Sequence, residues 1–434
     1  MDQTFDTVFL KVLKILENDE RHIFLTGHAG TGKTTLINHF RKNTVKNIAV
    51  VAPTGVAAVN ISGETIHSFF GFPPNITPDK ARSFAKRSKK KKLYEALDIL
   101  VIDEISMVRA DLLDSVDSYL RTVRGKRIPF GGVRLIMVGD LHQLPPVVTS
   151  LEHDALYSLY DSPYFFSSQS FQKLFQSLFD QLAFLELTTI YRQTDPKFIS
   201  ILNRLRYKQT TDEDLEQLNR QVVFDEDLSE HVLLTSINQI ADQINEKHLG
   251  EILGTPHAFH ATLTGKFSDK QSPAGETIHL KSGAKVMLLN NDPDGRWING
   301  TIGVVYEIKS QSVIVKLETG EKVEVFPFTW NAYKTEFDES KNRLESYEIG
   351  SFKQIPLRLA WAITIHKSQG KTFQKVAIDL GRGAFAHGQT YVALSRATSL
   401  SGLKLIKPLR HDNIIVDPKV LDFLKQINQV ALKV

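Results

Sequence analysis

The stretch LTGHAGTGKTTLI runs from Leu25 to Ile37 and holds Gly27, four further residues, then Gly32-Lys33-Thr34. That is the spacing of a phosphate-binding loop, and it lies between a short apolar run and a helical pattern, the context the motif needs. Glycines at 27, 30 and 32 let the backbone turn tightly and aim its amides at phosphate oxygens. Lys33 is expected to neutralise the β- and γ-phosphates, and Thr34 to hold Mg²⁺ through its hydroxyl. ATP contacts are therefore expected along Gly27, His28, Ala29, Gly30, Thr31, Gly32, Lys33, Thr34 and Thr35. An accidental glycine-rich turn is the plain alternative, and the motifs further along the chain decide against it.

Outward from the loop, short apolar runs ending in small or polar residues recur: HIFLTG from His22, NIAVVAPTG from Asn47, LDILVIDE from Leu97 and VRLIMVGD from Val133. Buried parallel strands have this form, with helical patterns between them. A second series follows in FLEL from Phe184, VLLTS from Val232, KVAIDL from Lys375 and LKLI from Leu403. Two α/β domains, each built on a parallel sheet, are the economical reading. From about 281 to 350 the pattern changes to short strands with turn signals at Asp294-Gly295, Asn299-Gly300 and Thr319-Gly320. This is hairpin chemistry at the spacing of a small β-barrel, inserted in the second domain. A second irregular zone begins at Gly71 and contains Lys86 to Lys92, six basic residues in seven.

Composition narrows the partners. A net charge of +4 over 434 residues permits a polyanionic partner without demanding one. The absence of cysteine excludes a disulfide framework and thiolate metal sites. The N-terminal MDQTFDTVFLKVLKILENDE is not a signal peptide, and no apolar run is long enough to span a bilayer. A soluble, cytoplasmic protein without a membrane partner is expected.

Three further motifs point to hydrolysis. ILVIDEIS delivers Asp103, suited to the metal, and Glu104, suited to polarising the attacking water. VGDLHQLPPV places Gln143 at the end of the next strand, where it can bond the γ-phosphate or the lytic water. YRQ offers Arg192 and YVALSRAT offers Arg396, two guanidiniums to stabilise charge developing on the γ-phosphate. Lying in the second domain, they would make closure of a cleft depend on ATP.

Taken together, GHAGTGKTT, APTGVAAVNISGETIHSFF, VIDEISM, GDLHQLPPV, YRQ, AITIHKSQGKTF and YVALSRAT resemble, in order and over nearly the whole chain, a superfamily-one DNA helicase of the 5′-to-3′ class. More closely, the chain resembles the petite-integration-frequency helicases, relatives of the RecD type. The segment LLDSVDSYLRTVRGKRIPFGGVRLIMVGD is similar to a signature particular to that family. The resemblance implies two RecA-like domains with ATP between them. It places domain one at 1–180, with a wedge insertion near 72–93, and domain two at 181–434, with an SH3-like insertion near 281–350. It implies an ATP-hydrolysing DNA helicase using Mg²⁺, acting as a monomer on single-stranded DNA and single-strand/duplex junctions, in a bacterium or phage. Roles in DNA repair, recombination and telomere maintenance go with the family. It also implies an adenine-reading Gln3 and an ATP contact at Gly370.

The expected DNA handholds are two similar loops, Pro53, Thr54, Gly55, His67 and Phe69 in the first domain and Thr364, His366, Lys367 and Ser368 in the second. Phe69, Phe70, Phe72 and Trp297 are candidates for stacking on bases, with core packing the alternative. The basic run Lys86–Lys92 reads as a solvated face or as a contact to duplex phosphates. Two rivals remain at this stage: an ATPase acting on RNA or protein, and a nucleotide-switched binding module that displaces nothing.

Overall fold

The computed structural model describes residues 7–176, 181–193, 195–224, 227–267, 272–381, 383–428 and 432–433. Six strands build the first sheet: β1 (His22–Gly27), β2 (Ile48–Ala52), β3 (Glu64–Thr65), β4 (Ile99–Ile102), β5 (Arg134–Val138) and β6 (Leu182–Leu187). Their order is β6-β1-β5-β4-β2-β3, with Leu432–Lys433 added outside β6. Every neighbouring pair is parallel. All residues of β4 and β5 are buried, because helices cover both faces; that is why these runs read as unbroken apolar stretches. The second sheet runs Ala362–Thr364, Val232–Thr235, Val376–Asp379, Leu403–Leu405, again parallel. Among the described residues no helix is long and apolar enough to cross a membrane.

The division between the lobes differs from the expected break at 180. β6 pairs with β1 from His22↔Leu182 to Gly27↔Leu187 and so belongs to the first sheet. The last helix, Pro418–Asn428, also returns to the first lobe. Its Val420, Phe423, Leu424 and Ile427 enter a core with Phe24, Phe165 and Phe171, and Phe423 stacks on Phe166 at 4.4 Å. A buried parallel strand has the same apolar signature in either sheet, so its sequence alone did not assign it.

The expected insertion near 281–350 is an antiparallel sheet in the order Lys322–Val325, Val313–Leu317, Ile302–Ile308, Lys285–Leu288, Leu357–Leu359. The Thr319-Gly320 signal closes one of its turns, with Gly320 at φ +87°. The insertion is wider than expected. A long hairpin, Phe328–Asp338 with Arg343–Gln354, pairs with Thr262–Gly265 upstream. This hairpin reaches the first lobe. Glu64 Oε1 accepts a hydrogen bond from the Thr335 amide at 2.5 Å, Asn47 Oδ1 accepts one from the Leu344 amide at 2.9 Å, and Lys92 pairs with Glu339 at 2.6 Å.

The irregular zone after Gly71 folds as two short helices, Pro78–Lys86 and Lys91–Ala96. Thr77 caps the first by accepting from the Lys80 amide, and Pro78 sits where no amide partner is needed. Ala81, Ala85, Leu93 and Tyr94 are buried in the core shared with helix Ala110–Arg124.

Candidate nucleotide cleft and DNA-facing loops

The phosphate loop joins β1 to helix Lys33–Asn43, with Gly32 in the left-handed region at the helix start. The Lys33 ammonium folds back on its own loop and donates to the carbonyls of Gly27 and His28 at 2.8 and 2.9 Å. Burial lowers its pKa, opposed by Asp140, Glu104 and Asp103. Thr31 is buried and donates to the His28 carbonyl, whereas Thr34 and Thr35 are exposed at the mouth. Gln3 lies outside the described residues.

Asp103 and Glu104 follow β4. Asp103 is buried, which raises its pKa, and one of its oxygens accepts from the Glu104 amide. Glu104 itself has φ +51°, a left-handed backbone costing roughly 1–2 kcal/mol for a non-glycine residue. Burial, then the Asp103 charge, raises its pKa to about 7. A carboxyl poised there exchanges protons readily near neutrality.

The second lobe reaches these groups through the loop after Thr364. Gln369 donates to Gln143 Oε1 at 2.9 Å and to Glu104 Oε2 at 3.2 Å. Sequence reading passed over Gln369 because a polar residue in an exposed-looking loop carries no special signal. Arg192 lies on the lip of the phosphate loop: a Cβ on Gly30 would stand 2.5 Å from Arg192 Cβ. Gly30, at φ +84°, is thus required both for the turn and for the close approach. Arg192 Nη2 donates to the Gly370 carbonyl at 3.1 Å, which ties Gly370 to the loop through this arginine.

Arg396 is fully buried and donates to the carbonyls of Val392, Ser368 and Lys371. Burial, and then the neighbouring charge of Arg192, pushes its pKa well below the usual arginine range. Arg192 Nη1 is buried without a hydrogen-bond partner among the described residues. Two neighbouring guanidiniums without a carboxylate partner among the described residues favour an anion between them.

A buried cluster beside Gln143 also escaped the sequence. Asp140 and Arg206 pair at 3.1 Å with side chains 0% and 2% exposed. Tyr391 donates to Asp140 at 3.4 Å and lies under the Arg206 guanidinium. His28, one of the expected ATP contacts, faces this cluster and has its pKa lowered to about 3 by burial and Arg206.

The DNA-facing loops divide. Pro53, Thr54, Gly55 and His67 are partly exposed, and the Thr54 hydroxyl caps helix Gly55–Asn60. His366 and Lys367 are exposed. Thr364 and Ser368, expected as handholds, are instead interior to their turn: the Thr364 hydroxyl accepts from the Lys367 amide and the Ser368 hydroxyl donates to Ile365. Phe69, Phe70 and Phe72 are core residues and not stacking surfaces here; Phe69 is 1% exposed and meets Tyr94 edge-on at 5.5 Å. Trp297 is likewise buried, with its indole N–H on Asn290. Aromatic runs suit a core as well as a base, so composition did not separate the two.

A phosphate loop, an acidic pair, a glutamine and two arginines gathered at the cleft define a two-lobed α/β protein of the RecA-like type. The profile described as PIF1-like helicase matches residues 2–216. The ATP-dependent DNA helicase Pif1 of Bdellovibrio bacteriovorus is 35% identical over 95% of this chain and 90% of its own length. Unliganded Pif1 from Bacteroides sp superposes with TM-score 0.89 at 35% identity, covering 98% of each chain. The Bacteroides Pif1 structure bound to single-stranded DNA gives TM-score 0.66 at 33% identity and 100% coverage of both. The chain spans 62% of the length of the PIF1 helicase of Rattus norvegicus, to which it is 36% identical over 94% of its own residues. This chain belongs to the PIF1-like helicase family.

Proposed function

We propose that this protein is an ATP-dependent DNA helicase that moves 5′ to 3′ along a single strand and opens duplex or structured DNA ahead of it. The observation that carries the reading is the Gln369 bridge: one side chain of the second lobe bonds both Glu104 and Gln143 of the first. Hydrolysis chemistry and lobe position are thereby joined at one amide. Further support comes from relatives named as ATP-dependent DNA helicases, and from the Bacteroides Pif1 structure in complex with ADP-AlF4.

In this reading Lys33 leaves the loop carbonyls for the β- and γ-phosphates, and Arg192 and Arg396 gain the anion that relieves their mutual repulsion. Glu104 takes a proton from the attacking water, and Gln143 reports the γ-phosphate. The residues present fit Mg²⁺, which takes one or two protein oxygens plus phosphates and waters: Thr34 at the mouth and the Asp103 carboxylate supply them. The metal would neutralise charge on the phosphates. DNA would lie over Thr54, Gly55 and His67 on one lobe and His366 and Lys367 on the other, with one chain sufficient for movement. Cycles of closure then shift one grip past the other, and opening a pair costs about 1.4 kcal/mol.

Unwinding of matched duplexes with a 5′ tail, a 3′ tail and no tail tests this. Displacement of the 5′-tailed substrate alone is expected. Lys33→Ala should abolish displacement and leave much of the DNA affinity. Displacement only from a 3′ tail would overturn the polarity, and DNA-independent hydrolysis without displacement would overturn the motor.

A further inference from the structure

A cavity of about 450 Å³ opens between the two helices of the wedge region, helix Ala110–Arg124 and the long hairpin. Ser68, Phe69, Phe70 and Gly71, at the end of the first handhold motif, line one side of it, and the wedge helices line the other. Its floor is aromatic. Phe70 and Tyr94 stack at 5.7 Å with an interplanar angle of 7°, and Tyr119 meets both edge-on. The polar ends of the tyrosines are already used: Tyr94 donates to the Phe69 carbonyl at 2.7 Å and Tyr119 to Ser88 at 2.9 Å. These three rings are 1–3% exposed, so they form the packed wall behind the cavity and make no demand for a polar partner.

The rim is different. Phe84 stands 43% exposed on helix Pro78–Lys86, an apolar ring that the protein itself leaves uncovered. Arg87 and Lys90 line the same side, and Lys334 of the hairpin lines the other. Lys334 pairs with Glu336 at 2.7 Å. Arg87 and Lys90 form no ion pair among the described residues. Lys90 is half-buried, which disfavours its charge, and Glu64 opposes that only in part.

An aromatic floor with a cationic rim is complementary to one ligand class: a flat apolar ring carrying a phosphate. The volume lies within the roughly 300–1,000 Å³ of small-molecule sites. A base stacked in a helix cannot enter such a pocket, whereas an unpaired one can. We propose that this cavity receives one unpaired nucleotide of DNA at the single-strand/duplex junction, with its base against Phe84 and its phosphate at Arg87 and Lys90. The Lys86–Lys92 run is then partly a phosphate-binding rim instead of a solvated face alone. The assignment rests on the helicase reading above and gives the wedge a grip on the junction beside the first handhold.

The test is equilibrium binding of the full chain to a forked DNA, with a single abasic site walked through the unpaired positions next to the junction on both strands. One position is expected to lose affinity by roughly tenfold when its base is removed, on the scale of base–aromatic stacking. Ser83→Trp, which fills the cavity, should abolish that one-position effect, and Phe84→Ala, a change at an exposed site, should reduce it. Arg87→Ala and Lys90→Ala should each lower the slope of log affinity against log salt by about one. A flat abasic profile, or a peak that survives Ser83→Trp and Phe84→Ala unchanged, overturns the pocket. Stimulation of wild-type ATPase by single-stranded DNA, read in parallel, separates the two readings. Stimulation with a flat profile rejects the pocket alone, and no stimulation rejects both.

Discussion

Asp140 and Arg206 form an ion pair at 3.1 Å that is sealed from solvent and joins the end of β5 in one lobe to the end of helix Pro196–Arg206 in the other. Breaking one side of such a pair leaves an uncompensated buried charge, at a cost of about 3–5 kcal/mol. Arg206→Met is expected to lower the denaturation midpoint accordingly, and the double change with Asp140→Leu should recover most of the loss. The effect depends on pH. Burial alone would raise the Asp140 carboxyl, but Arg206, then His142 and Lys33, hold it below the usual carboxylate range. A depressed acid contributes stability above its unfolded pKa, about 4, and loses it as pH falls toward the lower folded value. The gap between wild type and Arg206→Met should therefore be full above about pH 4 and shrink in acid.

Glu104 sets a pH dependence of another kind. With its carboxyl raised to about 7 in the free protein, kcat/KM for ATP should rise with pH through that value as the base form appears. Glu104→Gln should remove the inflection and lower hydrolysis by roughly 10²–10⁴-fold. An inflection that persists in this variant would assign it to another group.

Gln369→Ala removes two hydrogen bonds between the lobes. Each is worth about 0.5–1.5 kcal/mol. DNA-stimulated kcat should fall by about tenfold while nucleotide affinity stays within twofold or so, a split readable from steady-state ATPase with a fluorescent ATP analogue. Equal losses in both would point to a purely structural role.

Glu64 holds the hairpin. Its carboxylate accepts from the Thr335 amide and from the Ser68 hydroxyl. Glu64→Ala should expose amides of Phe328–Asp338 to faster hydrogen exchange, by a factor set by the roughly 1.5–3 kcal/mol of a charge-assisted bond. Mass-spectrometric exchange of that strand, with β4 as the internal reference, reads it directly.

The site's first lobe was largely legible because phosphate chemistry imposes spacing: glycines, Lys33, then Asp103-Glu104 and Gln143 at successive strand ends. Arg192 was legible from its motif, and the structure sets it against Gly30. Thr364, Ser368 and Phe69, expected as handholds, are buried for a common reason. A hydroxyl beside a turn satisfies backbone as easily as phosphate, and a ring in an aromatic run packs on its neighbours as easily as on a base. Gln369, Asp140 and Arg206 were silent since their roles arise only when distant segments meet. β6 misled the domain boundary because a strand's composition reports burial and not which sheet buries it.

Helix Pro418–Asn428 completes the aromatic core beneath β1, so the lobe that carries the phosphate loop is finished by residues almost four hundred positions downstream. During synthesis that core stays open until helix Pro418–Asn428 has left the ribosome. The nascent first lobe must wait with Phe24, Phe165 and Phe171 unsealed, and a chain cut short before Pro418 would yield a product prone to chaperone capture.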